Sequence, residues 1–133
     1  LKKKENEMAR ILVIDDDDQF RSMMRRLLER EGYEILEALD GENGVKTFTY
    51  KGADLIITDI VMPKKEGLET IREIRHRNPD VKIIAVSGGG RIGPETYLDM
   101  AEKFGANKIF SKPFDIKEFL QAVHEVLFSP IEG

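Results

Sequence analysis

The chain is predicted to fold as an α/β domain, a doubly wound parallel sheet of five strands with helices on both faces. Three observations carry that prediction. Apolar runs rich in β-branched residues alternate with amphipathic runs from end to end, in the order strand then helix, five times. The runs ARILVI and Ala53 to Thr58 read as buried strands, whereas Tyr33 to Leu39 alternates, which suits a parallel sheet covered by helices on both faces. A length of 133 residues with 41% apolar content suits one domain around one core.

Taken in order, Ala9 to Ile14 (ARILVI) reads as a buried strand. The stretch DQFRSMMRRLLEREG follows, with Phe20, Met23, Met24, Leu27 and Leu28 at the three-and-four spacing of one helix face, stopped by Gly32. Tyr33 to Leu39 is a second strand, and Gly41 to Tyr50 a short helix carrying Val45 and Phe48 inward. Ala53 to Thr58 is the most apolar strand. Leu68, Ile71, Ile74 and the stem of Arg75 form the next helix face, which ends before Pro79. Val81 to Val86 is a fourth strand. After a glycine-rich loop, Pro94 opens a helix with Tyr97, Leu98, Ala101 and Phe104 inward and Gly105 closing it. Asn107 to Ser111 is the last strand, and Ile116, Phe119, Leu120, Val123 and Leu127 line a final helix capped by Asp115. Right-handed crossovers leave few arrangements of such units, but strand order cannot be read from periodicity.

Composition narrows the function. Charged residues make up 35% of the chain, yet the formal net charge is only -4, so neither a nucleic-acid footprint nor an acidic tail stands out, and no direct nucleic-acid partner is expected. The chain has no Cys, which excludes disulfides and thiolate metal sites. No run has the length of a membrane span, and the N-terminal KKKENE lacks the apolar segment of a secretory signal, so the expected location is the cytoplasm. Leu1 and the ending at Gly133 suggest a trimmed chain. Residues 1–8 are expected to be a charged tail, partly left from cloning, residues 9–128 the domain, and 129–133 a tail or the start of a linker.

Three acids and a lysine stand where apolar runs give way to Pro, Gly or charge: Asp15 and Asp16 after the first strand, Asp59 in IITDIVMP, and Lys112 in IFSKPF. In an open parallel sheet the carboxyl ends of the strands share one edge, where ligands bind, so these residues can converge. Asp17 and Asp18 are read as helix caps or solvated acids. Two adjacent carboxylates at a buried strand's mouth repel by roughly 1 to 4 kcal/mol, and adding Asp59 worsens the repulsion. A divalent cation that accepts a few carboxylates and waters, Mg²⁺, is the natural remedy. An EF-hand loop fails because Phe20 stands where Gly is required and Arg26 where Glu is required. The first strand is not followed by GxGxxG, Gly88-Gly89-Gly90 lacks the GK[ST] of a P-loop, and Ser87 has no GxSxG context. His76 and His124 are placed on solvated helix faces.

With Asp15, Asp16, Asp59, Ser87 and Lys112 in place, the chain resembles the receiver domain of two-component response regulators from Arg10 to about Phe128. The matching pieces are ILVIDDD, IITDIVMPKKEG with Pro63 and Gly67 at the family's offsets, IIAVSG, and SKPF. The resemblance implies a flavodoxin-like (βα)5 fold with the strand order 2-1-3-4-5 of a chemotaxis receiver. It implies Asp59 as phosphoacceptor and Mg²⁺ held by Asp15, Asp16, Asp59 and the backbone carbonyl of Val61. It also implies that Lys112 and the Ser87 hydroxyl meet the phosphoryl oxygens, and that the Lys112-Pro113 bond is cis.

Departures from the family pattern are also present. The position three residues before the lysine, often aromatic and used as a rotating switch, is Ile109, and Phe110 should point to the opposite face of its strand. The loop Gly88 to Gly93 is longer than in many relatives and is expected to be mobile. Val61 and Gly89, at positions that tune attack by water, have no polar side chain, so the acyl phosphate is expected to be long-lived. The expected function is a phosphorylation-dependent signalling switch rather than an enzyme in its own right. It would be loaded by a sensor histidine kinase or phosphotransfer protein and read by a downstream protein or output domain through residues 94–128, with a homodimer left open. The alternatives are a Mg²⁺-dependent aspartyl phosphatase, disfavoured by Gln19 where DxDx[TV] needs Thr or Val, and a degenerate receiver, disfavoured by the complete pocket set.

Overall fold

The structure, a computed structural model, describes residues 8–60, 67–88 and 94–128, with backbone alone for 94–98. Five strand-helix units follow one another: β1 (Arg10–Ile14), α1 (Asp18–Arg30), β2 (Glu34–Ala38), α2 (Gly41–Lys51), β3 (Leu55–Asp59), α3 (Gly67–Arg77), β4 (Lys82–Ser87), α4 (Pro94–Phe104), β5 (Lys108–Ser111) and α5 (Ile116–Phe128). All strand pairs are parallel and the sheet order is β2-β1-β3-β4-β5, as the resemblance implied.

The near-continuous hydrophobicity of the central strands β1, β3 and β4 has a direct cause. Successive side chains of a strand point to opposite faces, and both faces are covered. Ile11, Val13, Leu55, Ile57, Ile84 and Val86 pack with Met24 and Leu28 of α1 and Phe119, Val123 and Leu127 of α5. Leu12, Ile14, Ile56, Ile83 and Ala85 face Val45 and Phe48 of α2, Leu68, Ile71 and Ile74 of α3, and Ala101 of α4. Each fully buried aliphatic side chain contributes roughly 1.5–3 kcal/mol, and the three central strands supply most of them. Ile109 packs with the second cluster and Phe110 with the first, so the alternation places Phe110 in the core as expected.

Caps follow the sequence reading. Asp17 accepts from the amides of Gln19 and Phe20, Asp40 from that of Asn43 and Asp115 from that of Glu118. His76 and His124 lie on exposed helix positions. Boundaries differ where pairing outweighs composition. Asp59 is the last residue of β3, paired in register with Val86, instead of following the strand, and Ser87 closes β4 opposite Ser111. Asn107 stays outside β5, and its side-chain oxygen accepts the Ile83 amide at 2.8 Å. Arg75 does more than lend its stem: its guanidinium donates to the carbonyls of Val81 and Gly105 at 2.5 and 2.8 Å, tying α3 to the start of β4 and the end of α4. The side chains of Tyr97 and Leu98, residues 61–66 and 89–93, and residues 1–7 and 129–133 lie outside what is described.

Candidate phosphoryl-acceptor site

Register alone brings the acids together. Ile14 of β1 pairs with Thr58 of β3, so Asp15 and Asp59, 44 residues apart in the chain, emerge side by side at the carboxyl edge. Carboxylate oxygens of Asp15, Asp16 and Asp59 lie within 4.8 Å of one another. Asp15 and Asp59 are buried and Asp16 is exposed.

Each acid is fixed by the chain around it. Asp15 accepts the Asp17 amide on Oδ1 at 2.8 Å, and its carbonyl receives Nη1 of Arg21 at 2.7 Å. Arg21 is itself aligned by Asp18 and by Glu37 of β2. The carbonyl of Asp59 accepts the buried Thr58 hydroxyl at 2.9 Å, and Ile60 continues the ladder by donating to the Val86 carbonyl at 3.0 Å. The amino end of α3 comes so close that a Cβ on Gly67 would stand 2.1 Å from the Asp59 carbonyl oxygen.

Lys112 comes from the far edge of the sheet. Its amide donates to the Ser87 carbonyl at 2.7 Å, the Lys112-Pro113 peptide is cis, and Nζ donates to Asp15 Oδ2 at 2.9 Å and Asp59 Oδ2 at 3.3 Å. Burial pulls the ammonium's pKa down, but the hydrogen bond it donates to Asp15 and the charges of Asp59 and Asp15 outweigh it and hold Lys112 above its ordinary value. It is therefore charged at neutral pH. Ser87 is buried at the end of β4, one position beyond the residue paired with Asp59.

Charge and donor chemistry test whether a metal fits. Three carboxylates against one ammonium leave two negative charges in a partly buried site, and the donors are hard oxygens, the set a Mg²⁺-like cation takes. Among the described residues this is the acidic cluster able to hold such an ion. The structure thus brings together Asp15, Asp16, Asp59 and Lys112 and sets Ser87 at the same edge; Val61 and Gly89 lie outside the described residues.

The family model for the response regulator receiver domain matches residues 11–124. The chain belongs to that family. The transcriptional regulatory protein CpxR of Klebsiella pneumoniae is 31% identical over 120 residues, which are 90% of this chain and 50% of that protein. This chain therefore spans about half the length of that curated relative. Among solved structures, a CheY-like receiver domain protein of Methanospirillum hungatei superimposes with a TM-score of 0.84 at 27% identity, covering 91% of this chain and 94% of that one. The beryllofluoride-activated NtrC4 receiver domain dimer gives a TM-score of 0.81 at 29% identity, covering 90% and 97%.

Sequence reasoning missed Arg21 and the ring of Phe20, which stands over Lys112 at 3.9 Å. The only signal for Arg21 was an arginine six residues beyond Asp15. Phe20 had been assigned to the core face of its helix.

Proposed function

We propose that the chain is a phosphorylation-dependent signalling switch in which Asp59 accepts a phosphoryl group from a sensor histidine kinase or a phosphotransfer protein. Asp15, Asp16, Asp59 and the carbonyl of Val61 would hold Mg²⁺, and Lys112 and Ser87 would meet the phosphoryl oxygens. The observation that carries this reading is the lysine ammonium shared between Asp15 and Asp59 inside a three-carboxylate cluster. Accessibility favours Asp59 over its neighbour as the acceptor. The Asp15 side chain is 1% exposed and closed off beneath Lys112, whereas that of Asp59 is 10% exposed at the mouth.

An Asp59 oxygen attacks phosphorus in line, a new P–O bond forms, and the bond to the donor breaks with its electron pair leaving on the donor. Little covalent machinery is required; positioning and positive charge around the equatorial oxygens suffice. Lys112 moves its longer hydrogen bond from Asp59 to a phosphoryl oxygen and keeps the shorter one to Asp15, which remains its anchor. The Ser87 hydroxyl donates to a second oxygen. Bound Mg²⁺ supplies further positive charge against the transferred group.

Residues 9–128 act as the receiver unit, flanked by tails at 1–8 and 129–133, in the cytoplasm. Family members at this level of identity include a transcriptional regulator and a receiver that forms a dimer, which supports an output domain, a downstream protein or a second copy reading the 94–128 face. Incubation with a small acyl phosphate and Mg²⁺ should add one phosphoryl group by intact mass, and a chelator should abolish the gain. Labelling of Asp59→Ala at the wild-type rate would refute the assignment. Release of many equivalents of phosphate per chain from a phosphomonoester would favour a phosphatase instead.

A further inference from the structure

Lys112 has a neighbour that the phosphoryl chemistry does not require. Its Nζ lies 3.9 Å from the centroid of the Phe20 ring. Phe20 is planted in the first turn of α1, where its amide donates to the capping Asp17 at 3.2 Å. The ring also meets Phe114 edge-on at 6.3 Å, and Phe114 stacks on Phe119 of α5 at 4.5 Å. Phe110 closes the group at 5.7 and 5.0 Å from those two rings. A continuous aromatic block therefore runs from the lysine ammonium to the buried face of α5.

A lysine carries a compact, strongly hydrated charge on a four-carbon stem, and holding it in one place costs about 2 kcal/mol of rotamer entropy. Two carboxylates fix one side of the ammonium. An aromatic face on another side attracts the charge through its quadrupole while keeping water off it. An aliphatic side chain of the same bulk would exclude water without attracting the charge. The position from which relatives often rotate an aromatic ring is Ile109 here, and it packs on the opposite face of the sheet from Phe110 and Phe119.

We propose that Phe20 is the positioning residue for Lys112, its ring holding the ammonium over the pocket and passing the lysine's movement to Phe114 and Phe119 on the α1–α5 side. This rests on the reading that Lys112 turns toward a phosphoryl group on Asp59. When the ammonium shifts toward a phosphoryl oxygen, the ring that shares its charge shifts with it, and the edge and stacking contacts hand that motion on to α5. The switch relocates from β5 to α1.

The test compares wild type with Phe20→Leu, Phe20→Met and Phe20→Tyr in the full chain, each first checked for a cooperative thermal transition. In proton NMR the Lys112 ε-methylene should be shifted upfield by the ring, a shift lost in the Leu and Met variants and kept in Tyr. Phosphorylation by a small acyl phosphate with Mg²⁺ should slow about fivefold in Leu and Met, with Tyr close to wild type, as expected for loss of one cation–π contact. Beryllofluoride with Mg²⁺ should move the Phe119 ring signals in wild type and Tyr and leave them in place in Leu and Met. If the ring-induced shift is present but wild type takes no phosphoryl group, the function proposed for Asp59 fails while the Phe20–Lys112 contact stands. If wild type is phosphorylated and the Leu and Met variants match it in rate and in the Phe119 response, positioning by Phe20 is wrong. If Tyr is as slow as Leu, the ring fills space and does not act on the charge.

Discussion

Replacing Gly67 with alanine should damage the site from outside it. The added Cβ would stand 2.1 Å from the Asp59 carbonyl oxygen and 2.4 Å from the Ile60 Cα, both backbone atoms that cannot rotate away, whereas real Cβ atoms essentially never approach closer than 3.0 Å. Relief therefore requires roughly 1 Å of relative movement between the start of α3 and the end of β3, and misplacement on that scale can cost about a hundredfold in rate. Overpacking of this kind also costs about 1–3 kcal/mol of stability. The Asp59 carbonyl is further held by the Thr58 hydroxyl, so the push passes into the strand end carrying Asp59, the proposed acceptor. Urea unfolding would read the stability, and the initial rate of phosphoryl gain from a small acyl phosphate would read the site. Gly44→Ala is the comparison, because its Cβ would press on a buried side chain, Ile14 Cδ1 at 2.4 Å and Cγ1 at 2.9 Å, and so overpacks the core without pushing on the Asp59 backbone. A Gly67→Ala protein with wild-type stability and rate would refute the reasoning, as would equal damage from both substitutions.

Glu37 accepts from Arg25 and Arg21. The Arg25 hydrogen bond lowers its pKa most, burial opposes, and Arg21 lowers it further, so the carboxyl stays below the ordinary value. A lowered carboxyl stabilises the fold above its unfolded pKa and loses that contribution as pH falls through the folded one. Glu37→Gln should therefore cost about 1 kcal/mol near neutral pH, discounted for partial exposure, and the gap from wild type should close in urea titrations as the pH falls below the ordinary carboxylate range. Gly88 is exposed, and a Cβ there would just touch the Lys112 stem, with Cδ at 3.4 Å. Gly88→Ala should be tolerated, while Gly88→Val should slow phosphorylation by about tenfold with an unchanged thermal midpoint; a fall in stability instead would mean that the glycine serves the loop and not the lysine.

The alternation of apolar and amphipathic runs was enough to place the strands and helices, because the central strands β1, β3 and β4 are buried almost throughout and each helix presents one apolar stripe. Strand order was not legible from periodicity and came from the resemblance. Asp15 and Asp59 were legible because an acid directly after Val13-Ile14 or Ile57-Thr58 breaks a pattern that burial enforces. Arg21 was not: an arginine on the polar side of an amphipathic helix looks like any solvated charge until the docking of α1 brings its guanidinium to the Asp15 carbonyl. Phe20 does pack on the buried face that its spacing assigned, but spacing cannot say that a charge will lie across the ring. Gly67 matched a family offset, and its reason, the close approach of two backbones, exists only in three dimensions.

The position of Lys112 explains why the site needs that residue type. Asp15 and Asp59 lie on adjacent strands, β1 and β3, but the lysine leaves β5, with β4 in between. A side chain from that edge must cross the end of a whole strand, and neighbouring strands are about 4.8 Å apart. Lysine has the length; its stem passes Gly88, just beyond the end of β4, where the missing Cβ leaves room beside it. Arginine has comparable reach but would bring a planar fork of five donors to a pocket in which, in the proposed switch, one compact charge leaves a carboxylate for a phosphoryl oxygen. A long flexible stem is mobile by itself, so the ammonium's place has to be set at its tip. Asp15 does that from below at 2.9 Å and Phe20 from the α1 side at 3.9 Å, leaving the longer contact to Asp59, at 3.3 Å, as the one that can be exchanged.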